Sequence, residues 1–524
     1  MKKILCIGTC LIALTACSAD KTETSNAQIG IPDPAPTIAE INAGEHYSPP
    51  ANAQYPTRVF WGDTHLHTEL SQDAFMFGVT LGPADAYQFA KGLPVKATHG
   101  EIAKIDRPLD FLVIADHAEG LGGMIALMNG HEKIASVEKF KGWKKILSTG
   151  TPEERRGLFN TTREDGWPKE LDDPQVKSDA WAYQRNTADT YNEPGKFTAL
   201  IGFEWSSWPG GSNLHRVVIF RDGAEKTGKT IPYSYHESDR PEDLWAYLAA
   251  YEAKTGGQVL AIPHNGNLSN GLLYPITNRD GQPLSADYTK TRAHWEPLME
   301  ITQIKGDGET HKYLSPSDEF ADYETWDFGN FAGVPKKDEM LEFEYARSAL
   351  KNGLKLETAT GTNPYKFGMI GSTDSHTALS TAQEDNFFGK HSAGMEPGET
   401  RWKDPIGKAK ETAVPGFLMA SSGFAAVWAK ENTRESLFDA MRRKEVYATT
   451  GSRMTVRLFG GWNYNAKDAQ NPNFASIGYA GGVPMGGDLQ GNEGRDGDAP
   501  HFLVAASKDP LGANLDRVQI IKGW

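Results

Sequence analysis

The chain has 524 residues, enough for one large barrel-type domain with an appendage or for about two to three average domains. Its 54 basic and 68 acidic side chains give a formal net charge of −14. This balance argues against nonspecific DNA or RNA binding, which needs a basic face, so we expect no nucleic-acid partner.

The N-terminus has the features of an exported bacterial protein. Met1-Lys2-Lys3 precedes an apolar run, Ile4 to Ala16, which has the length of a signal peptide and is too short to span a bilayer. The run ends Leu14-Thr15-Ala16-Cys17, which resembles a lipobox, where cleavage precedes a cysteine that is then lipidated. We therefore predict a lipoprotein signal peptide over 1–17 with lipidation at Cys17; the alternative is a plain signal peptide that happens to contain a cysteine.

The three cysteines of the chain all lie in this segment, at Cys6, Cys10 and Cys17. Disulfides and thiolate metal sites are therefore excluded from the mature chain. Ser18, where an Asp would be the alternative, favours sorting to the outer membrane of a Gram-negative bacterium. Residues 18–54, rich in Ala, Pro, Thr, Asn and Ser, predict a flexible tether. We expect a lipid-anchored protein at the periplasmic face of a membrane.

The remaining chain alternates predicted strands and helices. Strands are predicted over 55–60, 109–115, 197–203, 213–220, 258–262, 299–304, 367–372 and 446–451, and helices over 82–90, within 130–195, over 241–253 and over 433–444. Charged residues after buried strands predict an α/β fold whose site lies at the carboxyl ends of a parallel sheet. We expect a main domain over 55–454.

From about residue 455 the sequence changes to Gly- and Asn-rich loops between short apolar runs such as 502–506 and 518–521. This pattern predicts a small antiparallel β-rich module over 455–524. Because the last run stops at Trp524 without a turn or polar tail, we expect the native chain to continue beyond it.

A pair of histidines, His65 and His67, follows the first predicted strand in the run Gly62-Asp63-Thr64-His65-Leu66-His67. Residues two apart on a strand point to the same side, so both imidazoles would project from one face. Two such imidazoles make half of the coordination shell of a transition metal.

Imidazoles and carboxylates recur at the ends of later strands. They are His117, Glu204, His264, Asp374 and His376, and His215 opens the predicted strand after Glu204. A set of imidazoles and carboxylates suits Zn, Mn or Fe better than Ca or Mg alone. More ligands are present than one ion needs, so we expect a site of two or three ions in which Glu204 or Asp374 bridges. Such ions activate water for hydrolysis of a phosphate ester.

These residues and their neighbours resemble a known motif series. Their order is similar to that of the polymerase-and-histidinol-phosphatase (PHP) superfamily, and the local sequences resemble more closely a PHP-related group, domain-of-unknown-function family 3604. The similarity runs from about residue 57 to the end of the chain. The sequences that carry it are Gly-Asp-Thr-His-Leu-His-Thr, Ala-Asp-His-Ala-Glu, Gly-Phe-Glu-Trp, Ile-Pro-His-Asn and Gly-Ser-Thr-Asp-Ser-His.

The resemblance implies a distorted (β/α)7 barrel with a trinuclear metal site. Matched position by position, one ion would be held by His65, His67, Glu204 and Asp374, a second by Glu204, His215 and His264, and a third by partners matching His117 and His376. PHP proteins add to the third ion a histidine six residues after the opening pair. Here that residue is Asp73, a carboxylate that favours Mn or Fe or leaves two ions.

We expect a metal-dependent hydrolase, a phosphomonoesterase or phosphodiesterase acting on a small anionic substrate. Asp116 would orient a ligand histidine or accept a proton. Arg453 is the first basic residue to test for phosphate binding, ahead of Arg216 and Lys305. The alternatives are an amide or carbonyl-ester metallohydrolase and a non-catalytic metal- or ligand-binding lipoprotein.

Overall fold

The structure is a computed structural model that describes residues 53–383, 386, 388–391, 405–409, 412–415, 422–491 and 499–524. The predicted signal peptide with Cys17, and all but the last two residues of the predicted tether, lie outside the described residues. No helix of the described part is long and apolar enough to cross a membrane.

The described residues form strands and helices that alternate over most of the chain. The strands are β1 (Arg58–Leu66), β2 (Val95–Lys96), β3 (Ile102–Ala103), β4 (Phe111–Ile114), β5 (Thr198–Trp205), β6 (Arg216–Phe220), β7 (Val259–Pro263), β8 (Leu298–Gln303), β9 (Gly306–Asp307), β10 (Gly368–Gly371), β11 (Pro405–Ala409), β12 (Thr412–Pro415), β13 (Phe424–Ala429), β14 (Val446–Thr449), β15 (Thr455–Gly461), β16 (Gly482–Pro484) and β17 (His501–Ser507).

Along the chain, most helices follow one strand and precede the next. They are α1 (Gln72–Met76), α2 (Pro83–Ala90), α3 (Gly123–Met128), α4 (Glu132–Ala135), α5 (Phe140–Thr149), α6 (Pro152–Asp165), α7 (Pro174–Tyr191), α8 (Ala224–Thr227), α9 (Pro241–Thr255), α10 (Ala286–Trp295), α11 (Asp338–Leu341), α12 (Ala346–Thr360), α13 (Arg434–Arg442) and α14 (Phe474–Gly481). The helical stretch predicted over 130–195 thus contains α4 to α7.

The main sheet has seven strands in the order β14-β13-β1-β4-β5-β6-β7. Strands β1, β4 and β5 are parallel, whereas β6 runs antiparallel between β5 and β7. The carboxyl ends of β1, β4, β5 and β7 therefore lie at one end of the sheet, together with the beginning of β6. On the other side of β1, β13 and β14 add two antiparallel pairings.

A smaller sheet, β10-β8-β9, continues the curl of the main one. Strands β8 and β10 are parallel, and two isolated parallel bridges join His264 to Glu300 and Leu66 to Ser375. The end of β7 thus meets β8, and the end of β1 meets the segment after β10. The result is a mixed α/β protein with a curled half-barrel sheet whose strand ends converge.

The first strand begins and ends later than predicted, since it extends to Leu66 and includes His65. Its second half pairs with β4, with a register shift between Asp63 and Leu66. Gly62 allows this close approach: a Cβ atom there would lie 2.4 Å from the ring of Phe111. Pairing with a neighbouring strand, which local sequence does not encode, therefore sets the end of β1.

Both faces of the main sheet are buried. Leu112, Ile114 and Phe203 pack on the outer face with α2 and α7, whereas Phe111 and Val113 point into the concave side. Burial on both faces explains the continuous apolar runs of these strands.

The C-terminal residues contain a three-stranded antiparallel sheet in the order β16-β15-β17. The apolar run over 518–521, which the predicted β-rich module included, forms no strand. Val518, Ile520 and Ile521 are more than half exposed and pair with no strand in the described part of the chain. An apolar run forms a strand only where a neighbour offers its edge, and sequence alone does not supply that neighbour.

Candidate metal centre

The predicted ligands converge at the carboxyl end of the curled sheet. His65 and Glu204 lie in β1 and β5, His117 and His264 follow β4 and β7, and His215 precedes the antiparallel β6. Asp374 and His376 follow β10 in a segment that Asp63 ties to β1, because the Asp63 carboxylate accepts hydrogen bonds from the backbone N–H of His65 and Thr373.

Glu204 lies between two sets of imidazoles. Its Oε2 atom is 3.2 Å from Nε2 of both His65 and His67, and 3.3 Å from Nδ1 of His117. Its Oε1 atom is 2.6 Å from Nδ1 of His215 and 3.1 Å from Nε2 of His264. One buried carboxylate thus faces five imidazoles, three on one oxygen and two on the other.

The residues that the resemblance assigns to a first ion lie around His65 and His67. The Nε2 atoms of His65 and His67 lie 3.1 Å apart, and Oδ1 of Asp374 is 3.6 and 3.5 Å from them. Asp374 has a left-handed backbone conformation, φ 49°, that turns the chain directly after the strand. Aspartate tolerates this conformation better than most residues.

Asp73 stands where PHP proteins have a histidine, and it lies beside His117 and His376, the residues matched to a third ion. Its Oδ2 atom is 2.8 Å from Nε2 of His376 and 3.3 Å from Nε2 of His117. The ring of His67 packs against both imidazoles, with centroids 3.9 and 4.6 Å away. A carboxylate on the short helix α1 therefore occupies the position expected for an imidazole.

Further polar side chains fix the rings from behind. Nδ1 of His65 faces Oε2 of Glu300 at 3.1 Å, Nδ1 of His67 faces Ser71 Oγ at 2.7 Å, and Nδ1 of His117 faces Ser206 Oγ at 2.5 Å. Partners of this kind fix the tautomer and direct the other ring nitrogen to a metal. The Nε2 atoms of His65 and His67 face Glu204, and Nε2 of His117 faces Asp73.

Electrostatics in the cluster are dominated by burial and by the excess of carboxylates. Burial disfavours the charged imidazole, yet Asp374 and Glu300 outweigh it and raise the pKa of His65 to about 10. Burial is also outweighed at His117, where Glu204 and Asp73 raise the pKa to about 9. At His215 burial prevails and lowers the pKa to about 3.

The residues present fit divalent metal ions. Four triads have ligand atoms that all lie within 4.8 Å of one another, and every member is buried: His67–His117–His376, His65–His67–Glu204, His65–His264–Glu300 and Glu204–His215–His264. Nε2 of His215 and Nδ1 of His264 have no hydrogen-bond partner in the described part of the chain. Nitrogen lone pairs that face one another and carboxylates satisfy the donor requirements of Zn, Mn or Fe.

Asp116 lies beside the cluster rather than in it. Its carboxylate accepts hydrogen bonds from the backbone N–H and the hydroxyl of Thr68, at 2.6 and 2.7 Å. It also bonds Ser71, whose hydroxyl contacts His67. Asp116 thus reaches His67 through Ser71, and among the described residues it makes no direct contact with an imidazole.

The structure does not bring Arg453 to the cluster, so its predicted role in phosphate binding was wrong. Its guanidinium donates to the carbonyls of Arg107 and Pro108, at 2.6 and 2.8 Å, before the start of β4 and hence at the opposite end of that strand. Arg216 is also engaged elsewhere, since it pairs with buried Glu296. Of the three basic candidates, Lys305 alone contacts the cluster, at Asp374.

Three residues that contact the cluster were not identified from sequence. They are Glu300, Gln303 and Lys390. Glu300 and Gln303 lie on β8, a fully buried strand, and a carboxylate in a buried strand was the available signal. Lys390 follows a loop after β10, and nothing in its local sequence distinguishes it.

Fold and site together define a mixed α/β protein with a buried cluster of histidines and carboxylates that could hold metal ions. Residues 54–524 match the family described as "Protein of unknown function (DUF3604)", and the chain belongs to that family.

Among solved structures, the chain is similar to a two-domain protein from Bacteroides vulgatus ATCC 8482 described as containing a predicted PHP-like metal-dependent phosphoesterase. The identity is 10%, the alignment covers 76% of this chain and 68% of the other, and the TM-score is 0.31. No curated protein matches the sequence.

Proposed function

We propose that this protein is a metal-dependent hydrolase that cleaves phosphate mono- or diesters. The observation that carries the proposal is the position of Glu204, whose two oxygens face separate sets of imidazoles. A carboxylate so placed suits a bridge between two ions, as in dinuclear and trinuclear hydrolases.

The chain's own residues would hold two or three ions of Zn, Mn or Fe. His65, His67 and Asp374 would share the first with Glu204, and His215 and His264 the second. His117, His376 and Asp73 would hold the third. Bound there, the ions would activate water and withdraw charge from the oxygens of a phosphate ester.

The substrate would enter from the side of the cluster that is least buried. His117, His215 and Asp73 are 6, 8 and 7% exposed, whereas His65 and His264 are fully buried. The opening is therefore at the second and third groups. The two bridges at the ends of β7 and β1 also support a distorted (β/α)7 barrel with this opening at its carboxyl end.

Two other functions use the same residues. An amide or carbonyl-ester hydrolase would need the same activated water, and a binding protein would have every metal position filled by protein ligands. The small residual exposure of His117, His215 and Asp73, which are otherwise buried, favours a site that admits a substrate on this side.

The test combines metal analysis with three model substrates. Purified protein, loaded in turn with Zn, Mn and Fe, is assayed on p-nitrophenyl phosphate, bis-p-nitrophenyl phosphate and a p-nitrophenyl acyl ester. We expect at least two ions per chain and cleavage of a phosphate ester. Cleavage of the acyl ester alone would favour the carbonyl hydrolase, and full metal content without any cleavage would favour the binding protein.

Glu204→Gln is the decisive variant because it weakens a ligand to two ions at once. We expect it to retain at most one ion per chain and to lose activity by at least about 100-fold, more than is typical for partners outside the coordination shell. Glu344→Gln is the matched control, since Glu344 is a buried carboxylate that pairs with Lys336 outside the cluster. An active Glu204→Gln variant with full metal content would contradict the proposal.

We also propose that the protein is exported and anchored by a lipid on Cys17. The support is the basic N-terminus, the apolar run and the Leu-Thr-Ala-Cys sequence. In cells grown with labelled palmitate, the full-length chain should carry label and fractionate with the outer membrane. Cys17→Ser should carry no label, and equal labelling of both would contradict lipidation at this residue.

A further inference from the structure

Two lysines meet at one carboxylate of the candidate metal centre. Oδ1 of Asp374 lies 2.5 Å from Nζ of Lys390, and Oδ2 of Asp374 accepts hydrogen bonds from Lys305 and from Gln303. Both lysines are largely buried, at 8 and 4% exposure for Lys305 and Lys390. Lysines are seldom buried unless they have a partner, so each ammonium requires an explanation.

The Lys390 side chain is tied to Asp374 by two hydrogen bonds. Its Nζ atom donates to Oδ1 and to the carbonyl oxygen of Asp374, at 2.5 and 2.6 Å, and lies 2.9 Å from Nδ1 of His376. An ammonium offers three donors, so two of them are used on one residue. Lys390 therefore positions Asp374 and keeps at most one donor for any other group.

The Lys305 ammonium differs in this respect. Its Nζ atom donates to one oxygen among the described residues, Oδ2 of Asp374, and lies beside the Lys390 side chain, so it keeps donor capacity for another oxygen. Its side chain is also more exposed than that of Lys390, at 10 against 5%. A charged group with spare donors, at the edge of a buried cluster, is suited to an anionic ligand.

Lys305 shares Asp374 with two other donors. Gln303 Nε2 donates to the same Oδ2 atom at 2.5 Å, and Nζ of Lys390 donates to Oδ1 at 2.5 Å. The backbone N–H of Lys305 donates to Oε1 of Gln303, which fixes the lysine and the amide relative to each other. Lys305 is therefore held at Asp374 by one hydrogen bond and can direct its remaining donors to another oxygen.

We propose that Lys305 binds an anionic oxygen of the substrate, a phosphoryl oxygen, beside the metal ions. This inference rests on the proposed function and names a specificity residue for it. Asp374 holds the ammonium in place through Oδ2 while its Oδ1 atom faces His65 and His67. One carboxylate thus connects the metal ligands to the group that recognises the substrate's charge.

The test measures orthophosphate binding, which does not depend on turnover. Metal-loaded wild type, Lys305→Met and Lys305→Arg are titrated with inorganic phosphate by calorimetry, and metal content is measured on the same samples. We expect Lys305→Met to weaken phosphate binding by about 10- to 100-fold, the value of one or two charge-assisted hydrogen bonds, with metal content unchanged. Lys305→Arg should recover part of the affinity because it restores a cation.

Lys336→Met is the matched control, since Lys336 also places its ammonium on a buried carboxylate, Glu344, at 2.6 Å. It should lose stability without a change in phosphate affinity. With p-nitrophenyl phosphate, Lys305→Met should raise KM by the same factor as the phosphate dissociation constant.

Three results would overturn the assignment. They are an unchanged phosphate affinity in Lys305→Met, a loss of metal that accounts for the whole effect, and a wild-type protein that binds no phosphate. If phosphate binds in a Lys305-dependent way but no ester is cleaved, the assignment of Lys305 holds and the proposed phosphoesterase function fails. If wild type and Lys305→Met cleave phosphate esters with equal KM, the proposed phosphoesterase function holds and the assignment of Lys305 to substrate binding fails.

Discussion

Two buried charged clusters lie close together in this molecule and are built in opposite ways. One is the candidate metal centre around Glu204; the other, the arginine cluster, consists of Arg216, Arg292 and Glu296. In the arginine cluster, Nε of Arg216 lies 3.0 Å from Oε1 of Glu296, and Nε of Arg292 lies 3.1 Å from Oε2. Each positive group there has an opposite charge within reach.

The candidate metal centre is paired differently. The Nε2 atoms of His65 and His67 face each other at 3.1 Å, and two imidazole nitrogens of His215 and His264 have no partner among the described residues. Glu204 faces five imidazoles, whereas Asp374 is met by Lys305 and Lys390. We therefore expect the salt-bridged arginine cluster to stabilise the fold, and the imidazoles around Glu204 to bind a ligand.

The largest effect on stability is therefore expected in the arginine cluster. Glu296→Ala would leave Arg216 and Arg292 buried without their carboxylate and should lower the free energy of unfolding by about 3–5 kcal/mol. Chemical denaturation checks this value. Metal content of the folded variant should equal that of wild type, because Glu296 contacts none of the proposed ligands.

The control for this variant is Glu339→Ala, which removes an exposed glutamate and should change the free energy of unfolding by less than about 0.5 kcal/mol. A Glu296→Ala protein that keeps wild-type stability but loses metal would reverse the roles assigned to the two clusters.

A smaller effect, on metal affinity rather than stability, is expected from Glu300→Gln. Its Oε2 atom is 3.1 Å from Nδ1 of His65, so the change removes the charge that orients this ring. Loss of such a partner typically weakens metal binding by about 10- to 100-fold. Competition with a chelator of known affinity measures this change, and Glu344→Gln is again the control, with an expected unchanged metal affinity.

Much of the candidate site could be predicted because each residue follows an apolar run. The carboxyl ends of parallel strands share one edge of a sheet, so His65, His117 and Glu204 had to lie near one another once their strands were parallel. His215 fits the same rule, since β6 is antiparallel and begins where its neighbours end. The α/β class follows from the same alternation of strands and helices.

The remaining contributors depend on contacts between distant segments. Glu300 meets His65 across 235 positions of the chain, and Lys390 meets Asp374 through a loop that local patterns do not place. Arg453 was misplaced for a related reason. Strand β14 runs in the same direction as β1, because both are antiparallel to β13, yet the guanidinium of Arg453 reaches the carbonyls of Arg107 and Pro108 before β4. A position after a strand end does not determine which groups the side chain reaches.

The smallest expected effect comes from a histidine–carboxylate pair outside both clusters. Nδ1 of His236 lies 2.5 Å from Oδ2 of Asp172, and Nε2 of His236 contacts the carbonyl of Trp167. Burial lowers the pKa of His236, but the hydrogen bond to Asp172 outweighs it and raises the pKa overall. Burial is likewise outweighed at Asp172, whose pKa is lowered by His236.

These directions fix the sign of the pH dependence. A histidine whose pKa is raised on folding stabilises the protein below its unfolded value of about 6.5, and the contribution disappears as pH rises through the raised value. The lowered pKa of Asp172 gives a contribution that is present above about pH 3.9 and disappears as pH falls through the lowered value. The stability difference between wild type and His236→Asn should therefore be largest between about pH 4 and 6.5, at about 1 kcal/mol, and should shrink at higher pH.

Thermal or chemical unfolding over this pH range, with excess chelator and again with metal, distinguishes a proton-linked pair from a metal-linked one. The difference for His236→Asn should be the same in both series, because His236 contacts none of the proposed ligands, and the exposed His501→Asn should show none. A difference that appears only with metal would make His236 part of the metal centre. A stability difference that grows with pH would show that folding lowers the pKa of His236 rather than raising it. His236 would then no longer differ from His215 of the candidate metal centre, the pKa of which burial lowers.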